Sequence, residues 1–163
     1  MSGEDTPPAR KGLGFARSLK GRALQLLSQR EHSRTELERK LAPHEEVPGE
    51  LAQALDELQA RDFINDGRVI ESVINHRAGK LGAARLKQEL AAKGLGGEAV
   101  AQALAALKDT ELERAREVWQ KKFGVVATDA ATRNRQARFL ATRGFSGDVV
   151  RQVVAGLAHS EDI

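Results

Sequence analysis

The stretch Lys80–Leu95 reads KLGAARLKQELAAKGL and contains the pattern on which the fold prediction depends. Leu86 and Leu90 lie four residues apart, so they share one face of a helix, while the basic side chains around them point away from that face. Gly94 follows the last periodic residue, where glycine commonly ends a helix in a left-handed backbone conformation. The stretch therefore predicts a short amphipathic helix with a leucine side, a basic side and a glycine turn at its end.

This pattern recurs along the chain. Leu41, Leu90 and Leu140 are spaced by 49 and 50 residues. The positions 14 and 17 residues after each of them are all apolar: Leu55, Leu104, Val154, Leu58, Leu107 and Leu157. A basic residue, a glycine and an apolar residue follow the second and third leucines at the same offset, as Lys93–Leu95 and Arg143–Phe145. The repetition predicts three tandem three-helix units that bury one another's edges.

The composition also favours helices, because only 4% of the residues are aromatic while 30% are charged, and no strand-like alternation runs for any length. Ser33 and Glu36 have the spacing of a capping box, and Asp66 is placed to cap the next helix. We predict an all-α fold of about nine short helices, forming an elongated, curved array of three tandem helix-turn-helix-like repeats. The predicted boundaries are 1–17 for a flexible basic N-terminal arm, 18–65 for repeat 1, 66–108 for repeat 2 and 109–163 for repeat 3.

Several kinds of chemistry have no residues to carry them. The chain has no cysteine, so disulfides, thiolate metal ligands and a cysteine nucleophile are excluded. The four histidines, His32, His44, His76 and His159, lack partners at metal-ligand spacing, so we expect them to face solvent or to cap helices. No signal peptide is visible, and no run of about 18 apolar residues would cross a membrane. We expect a soluble, cytoplasmic, non-enzymatic protein without metal, cofactor or membrane partner.

The net charge of +3 is unevenly distributed. Residues 23–66 carry five basic and ten acidic side chains. Residues 67–107 carry six basic and three acidic side chains, and residues 121–147 carry six basic and one acidic. Two equivalent basic helices side by side would form a positive stripe that binds phosphate or an acidic protein surface without reading base sequence. The predicted contact residues are Arg77, Lys80, Arg85, Lys87 and Lys93 in repeat 2, and Lys121, Lys122, Arg133, Arg135, Arg138 and Arg143 in repeat 3. The alternative is that these are ordinary solvated helix faces.

The single tryptophan, Trp119, has two interpretations. Val118, Trp119 and Phe123 fit helical spacing, which predicts a core anchor for repeat 3. Stacking of Trp119 on a nucleobase is the alternative. The loop that follows, residues 124–131, is an insertion relative to the earlier repeats.

The order of several short motifs resembles the bacterial RecX family from about residue 19 to the end of the chain. The motifs are Ser33-Arg34-Thr35-Glu36-Leu37, Phe63-Ile64-Asn65-Asp66-Gly67-Arg68, Gly82-Ala83-Ala84-Arg85-Leu86, Glu89-Leu90, Lys93-Gly94-Leu95, Phe139-Leu140 and Arg143-Gly144-Phe145. The chain departs from the family at Val69 and Ile70, where an aromatic and a small residue are usual, and at Phe63, where leucine is commoner. These changes concern local packing.

The resemblance implies a curved monomer that lies in the groove of the RecA filament on single-stranded DNA. Such a protein spans adjacent subunits and suppresses ATP hydrolysis, strand exchange and co-protease activity in DNA repair and the SOS response. The residues alone leave two alternatives open: a free-standing helical DNA-binding protein and a general helical-repeat scaffold for protein interactions. A weak, sequence-independent contact with single-stranded or duplex DNA also stays open.

Overall fold

Nine α-helices follow one another in the computed structural model, which describes residues 18–156. They are α1 Leu19–Gln29, α2 Arg34–Leu41, α3 Glu50–Ala60, α4 Asp66–Arg77, α5 Ala83–Ala92, α6 Gly97–Ala105, α7 Glu111–Lys122, α8 Ala130–Thr142 and α9 Gly147–Val154. Short 3-10 turns at Ala42–His44 and Lys108–Thr110 extend α2 and precede α7. No strand occurs within residues 18–156, which confirms the all-α class. The predicted arm at 1–17, Leu157 and His159 lie outside the described residues.

The chain divides into two compact units between Asn65 and Asp66. The first unit holds α1 to α3, with a core that includes Leu37, Leu55 and Leu58, whose side chains have no exposed surface. The second unit holds α4 to α9 and contains two cores. One lies among α4 to α6 around Leu90, and the other lies among α7 to α9 around Leu140; both leucines are completely buried. Leu41, the matching leucine of the first unit, is 3% exposed, so each set of three helices buries the leucine that the sequence repeat aligns.

The sequence predicts capping residues at the starts of two helices, and the structure confirms one of these predictions. At the start of α2 the Ser33 hydroxyl accepts from the Glu36 backbone N–H at 3.1 Å, and Glu36 Oε1 accepts from the Ser33 backbone N–H at 3.1 Å. This confirms the capping box. The prediction for Asp66 is wrong by one position, because Asp66 is the first residue of α4 and lies in its first turn. An acidic side chain there still stabilises the positive end of the helix.

The glycine turn at the end of the second helix is used in both later repeats, as the sequence predicts. Gly94 and Gly144 have φ angles of 76° and 89°. The next residue in each turn donates its backbone N–H five positions back, from Leu95 to Leu90 at 2.9 Å and from Phe145 to Leu140 at 3.3 Å. This is the Schellman arrangement, and it returns Leu95 and Phe145 to the core.

Repeats 2 and 3 meet through direct backbone contact within the second unit. The Gly82 N–H donates to the Arg143 carbonyl at 2.8 Å, and the Ala84 N–H donates to the Gly144 carbonyl at 3.3 Å. A Cβ on Gly82 would lie 2.2 Å from the Gly144 carbonyl oxygen, and a Cβ on Gly144 would lie 2.4 Å from Arg85 Cβ. Both positions therefore require glycine.

Two side chains of α7 reinforce this contact. Arg114 Nη1 donates to the carbonyl oxygens of Ala78 and Leu81, each at 2.6 Å. Burial lowers the pKa of Arg114. The buried Glu111 accepts the Ala83 backbone N–H at 3.1 Å. The segment that joins α4 to α5 is thus hydrogen-bonded to α7, and this fixes the position of that loop against repeat 3.

His32 corrects the expectation that the histidines face solvent or cap helices. Its side chain is only 1% exposed. Nδ1 lies 3.0 Å from the Arg30 carbonyl oxygen and Nε2 lies 3.4 Å from Lys40 Nζ. Burial lowers the pKa of His32 from its ordinary value of 6.5. The folded first unit therefore favours the neutral form of this ring.

The stability of the first unit should fall as the pH is lowered through about 6.5, because there the unfolded state takes up a proton on His32 that the folded state accepts only at lower pH. Urea titrations followed by far-UV circular dichroism at pH 7.5 and 5.5 measure the change in the free energy of unfolding. In His32→Gln, which retains hydrogen-bonding groups but does not titrate, the difference between the two pH values should shrink. An undiminished difference in this variant would show that another group is responsible.

Candidate functional site

The predicted basic residues all reach the surface of the second unit. Nine of the eleven are exposed, and two, Lys93 and Arg143, are half-buried. Arg85 and Lys87 lie on α5, and Arg133, Arg135 and Arg138 lie on α8. Surface position is a condition for a binding role, and it also fits an ordinary solvated helix face.

Arg77 forms a bidentate ion pair with a carboxylate. Its Nε and Nη2 atoms donate to the two carboxylate oxygens of Glu89 at 3.1 and 2.8 Å. This pairing raises the pKa of Arg77 and lowers the pKa of Glu89. The bidentate pair joins the end of α4 to α5, so Arg77 has a structural role whatever else it contacts.

Four of the predicted residues come together in one place, which we call the basic groove. It is a cavity of about 230 Å³ lined by Gly79, Lys80, Glu117, Val118, Lys121, Lys122, Phe139 and Arg143. Lys80 comes from the loop after α4, Lys121 and Lys122 from the last turn of α7, and Arg143 from the end of α8. The groove therefore draws on both repeats, and its lining carries four cations and one carboxylate.

Phe139 forms the aromatic part of this groove. Arg143 Cζ lies 4.8 Å and Lys122 Nζ lies 5.6 Å from the centre of its ring. The ring also packs edge-on against Phe123, with 5.4 Å between centres and an interplanar angle of 85°. Cation–π contacts of this kind contribute about 0.5–1 kcal/mol at exposed sites. They hold the two cations in place while leaving their charge unbalanced.

The remaining third-repeat arginines extend along α8 from a well-defined start. Asp129 caps α8 by accepting the Thr132 backbone N–H at 2.7 Å, and that hydrogen bond lowers the pKa of Asp129. Arg135 and Arg138 lie three residues apart on the helix and are both exposed. α8 therefore presents these two cations on one side.

Trp119 is a core anchor, as its spacing predicts. Only 9% of the side chain is exposed, and its Nε1–H donates to Gln136 Oε1 at 3.0 Å. Gln136 in turn donates to the Val125 carbonyl at 3.0 Å, which fastens the inserted loop to α8. A ring held in this way does not stack on a nucleobase.

Sequence reasoning missed two contributors to this site. Arg114 positions the loop that carries Lys80, and Phe139 positions Lys122 and Arg143. Phe139 is half-buried against the core of repeat 3, and its ring contacts both cations. The short KLG sequence at residues 80–82, with its glycine, is the one local signal of a close contact at this loop.

Within residues 18–156, no group of three or more His, Asp or Glu side chains is arranged to hold a metal ion. None of the helices described here is long and apolar enough to cross a membrane.

The chain consists of three-helix units in tandem; two of them have a glycine turn between their second and third helices and meet at a basic groove, which defines a class of all-helical tandem-domain proteins. The chain matches the RecX first three-helix domain over residues 20–58, the second over 65–104 and the third over 109–154. The chain belongs to the RecX family.

Named relatives and solved structures agree with this assignment. The chain is 53% identical to the regulatory protein RecX of Leptothrix cholodnii over 89% of this chain and 92% of that protein. It is 46% identical to the regulatory protein RecX of Ralstonia pickettii over 85% of this chain and 87% of that protein. The crystal structure of RecX from Lactobacillus salivarius superposes with a TM-score of 0.70 at 23% identity, covering 85% of this chain and 94% of that one. At that identity the superposition supports the fold alone.

Proposed function

We propose that this chain binds the RecA filament on single-stranded DNA in the cytoplasm and suppresses its ATP hydrolysis, strand exchange and co-protease activity. Membership of the RecX family gives the class of regulator. The observation that supports a binding role for this surface is the basic groove, which collects four cations from two repeats. None of these four forms an ion pair or a side-chain hydrogen bond with another described residue.

Such a regulator needs no catalytic group. It changes an equilibrium between filament states only by binding one state more tightly than another. A chain that contacts neighbouring subunits through repeated units would favour one filament geometry and so hinder the cycle driven by hydrolysis. The proposed contact residues are the basic groove together with Arg77, Arg85, Lys87, Lys93, Arg133, Arg135 and Arg138.

The groove ranks above the other positions because two of its four cations are already held in place. Lys122 and Arg143 rest on the Phe139 ring, so less side-chain entropy is lost when an anion binds. Arg77 ranks last because Glu89 balances its charge. An anionic partner would have to compete with that carboxylate.

Reversing two exposed charges on α8 should weaken the suppression of RecA. In Arg135→Glu with Arg138→Glu, the concentration that halves the DNA-dependent ATPase of the cognate RecA should rise about tenfold, because two attractive contacts become repulsive. Arg85→Glu with Lys87→Glu should act in the same direction. The matched control is Arg61→Glu with Lys108→Glu, which makes the same change in net charge at exposed positions outside the proposed set.

The control should suppress the ATPase like the wild type. If both test variants also do so, the α5 and α8 cations are not contact residues. A gel-shift assay with duplex DNA and no RecA distinguishes a RecA regulator from a free-standing DNA-binding protein. Tight DNA binding without any effect on the ATPase would indicate a free-standing DNA-binding protein.

A further inference from the structure

The basic groove has an apolar floor beneath its charged rim. Val118 and Phe139 are half-buried between the cations, and Gly79 presents no side chain. Lys80 and Lys121 are exposed at the edge. A phosphate group would use the rim but gain nothing from the floor, because an anion without an apolar part buries no apolar surface. The floor therefore favours a ligand that carries apolar side chains as well as negative charge.

The aromatic residues near the groove do not provide a stacking platform for bases. The Phe139 ring is in contact with Lys122, Arg143 and Phe123. Among the described residues of the second unit, Trp119 and Phe145 are buried. Sites for single-stranded nucleic acid usually combine a basic groove with rings on which bases stack. That combination is missing here.

The size of the groove also favours side chains of a polypeptide as the ligand. At about 230 Å³ it is smaller than the cavities that hold drug-sized ligands, which measure about 300–1,000 Å³. It suits one or two side chains of a polypeptide. A guanidinium that lies over a ring, as Arg143 does, can direct its in-plane N–H groups to a carboxylate.

We infer that the basic groove binds an acidic segment of a partner protein, with carboxylates on Lys80, Lys121, Lys122 and Arg143 and an apolar side chain against Val118 and Phe139. This inference rests on the proposed function only in taking the groove as a partner-binding site. Glu117 lies in the same lining and disfavours carboxylates at its own end.

The test measures fluorescence anisotropy of three labelled probes with the full-length chain and without RecA. The probes are a 12-residue peptide of alternating Glu and Leu, the same peptide with Ser for Leu, and a dT12 oligonucleotide. The Glu–Leu peptide should bind at least fivefold more tightly than the Glu–Ser peptide. Lys80→Gln with Lys121→Gln should weaken the Glu–Leu peptide about fivefold, because two rim charges are lost.

Two further variants make the test specific. Arg61→Gln with Lys108→Gln removes the same charge elsewhere and should leave peptide binding within twofold of the wild type. Val118→Thr keeps the shape of the side chain and should narrow the difference between the two peptides. Equal binding of both peptides, or a groove variant that weakens dT12 and leaves the peptides unchanged, would overturn the inference in favour of a phosphate site. Because RecA is absent from this experiment, neither result decides the ATPase test of the proposed function.

Discussion

Alanine in place of Gly144 is expected to lower the free energy of unfolding of the second unit by about 2–5 kcal/mol. A left-handed backbone conformation disfavours any side chain, and Gly144 has a φ of 89°. The added Cβ would also lie 2.4 Å from the backbone N and the Cβ of Arg85, so the contact between repeats must open. Urea unfolding followed by fluorescence of the single tryptophan, Trp119, reports this unit directly.

Gly97→Ala is the matched control for this experiment. Gly97 also has a positive φ, 73°, and nothing lies within 4 Å of the Cβ that alanine would add. Its substitution should cost only the backbone strain, about 1–2 kcal/mol. If Gly144→Ala costs no more than Gly97→Ala, the close approach between repeats 2 and 3 does not contribute to stability.

Methionine in place of Arg114 should also destabilise the second unit, by about 2–3 kcal/mol. The variant keeps an unbranched apolar stem but leaves the carbonyls of Ala78 and Leu81 without their donor. Arg114→Lys should recover less than half of the loss, because a single ammonium group does not reproduce the planar guanidinium fork. The same urea titration with Trp119 fluorescence measures both variants.

The control for Arg114 is Arg133→Met, an exposed arginine on α8. It should change the free energy of unfolding by no more than about 0.5 kcal/mol. Equal effects of the two methionine variants would mean that the hydrogen bonds of Arg114 do not hold the loop. A full recovery by Arg114→Lys would mean that charge, and not the paired geometry, matters there.

The features that could be predicted from sequence are those set by neighbouring residues. The α2 capping box needs only Ser33 and Glu36, and the glycine turns need only a residue that accepts a left-handed backbone. Buried leucines recur at helical spacing because each helix turns one side to its own three-helix core. Local rules of this kind are sufficient to predict the all-α class.

The features that could not be predicted depend on contacts between distant segments. Arg114 donates hydrogen bonds to carbonyls 33 and 36 positions away, and nothing in its neighbouring sequence distinguishes it from Arg116, the other arginine on α7. His32 follows a charged stretch that looks exposed, yet α2 covers it. Burial of such groups is decided by packing, which the linear pattern does not encode.

The candidate site combines both kinds of information. The sequence marks the cations, but it does not show that Glu89 balances Arg77 while Phe139 supports Lys122 and Arg143. Which charges are balanced within the chain depends on which helix ends meet. Four of the eleven proposed positions lie together in the basic groove.

Co-sedimentation tests the central claim most directly. The chain is mixed with filaments of the cognate RecA on single-stranded DNA, formed with a slowly hydrolysed ATP analogue, and the filaments are pelleted by centrifugation. In the control, the chain is mixed with the same DNA without RecA. We expect saturable pelleting with the filament, reduced in Lys80→Gln with Lys121→Gln, and little pelleting with DNA alone. A chain that stays in the supernatant with filaments, or pellets equally with bare DNA, would contradict the proposal.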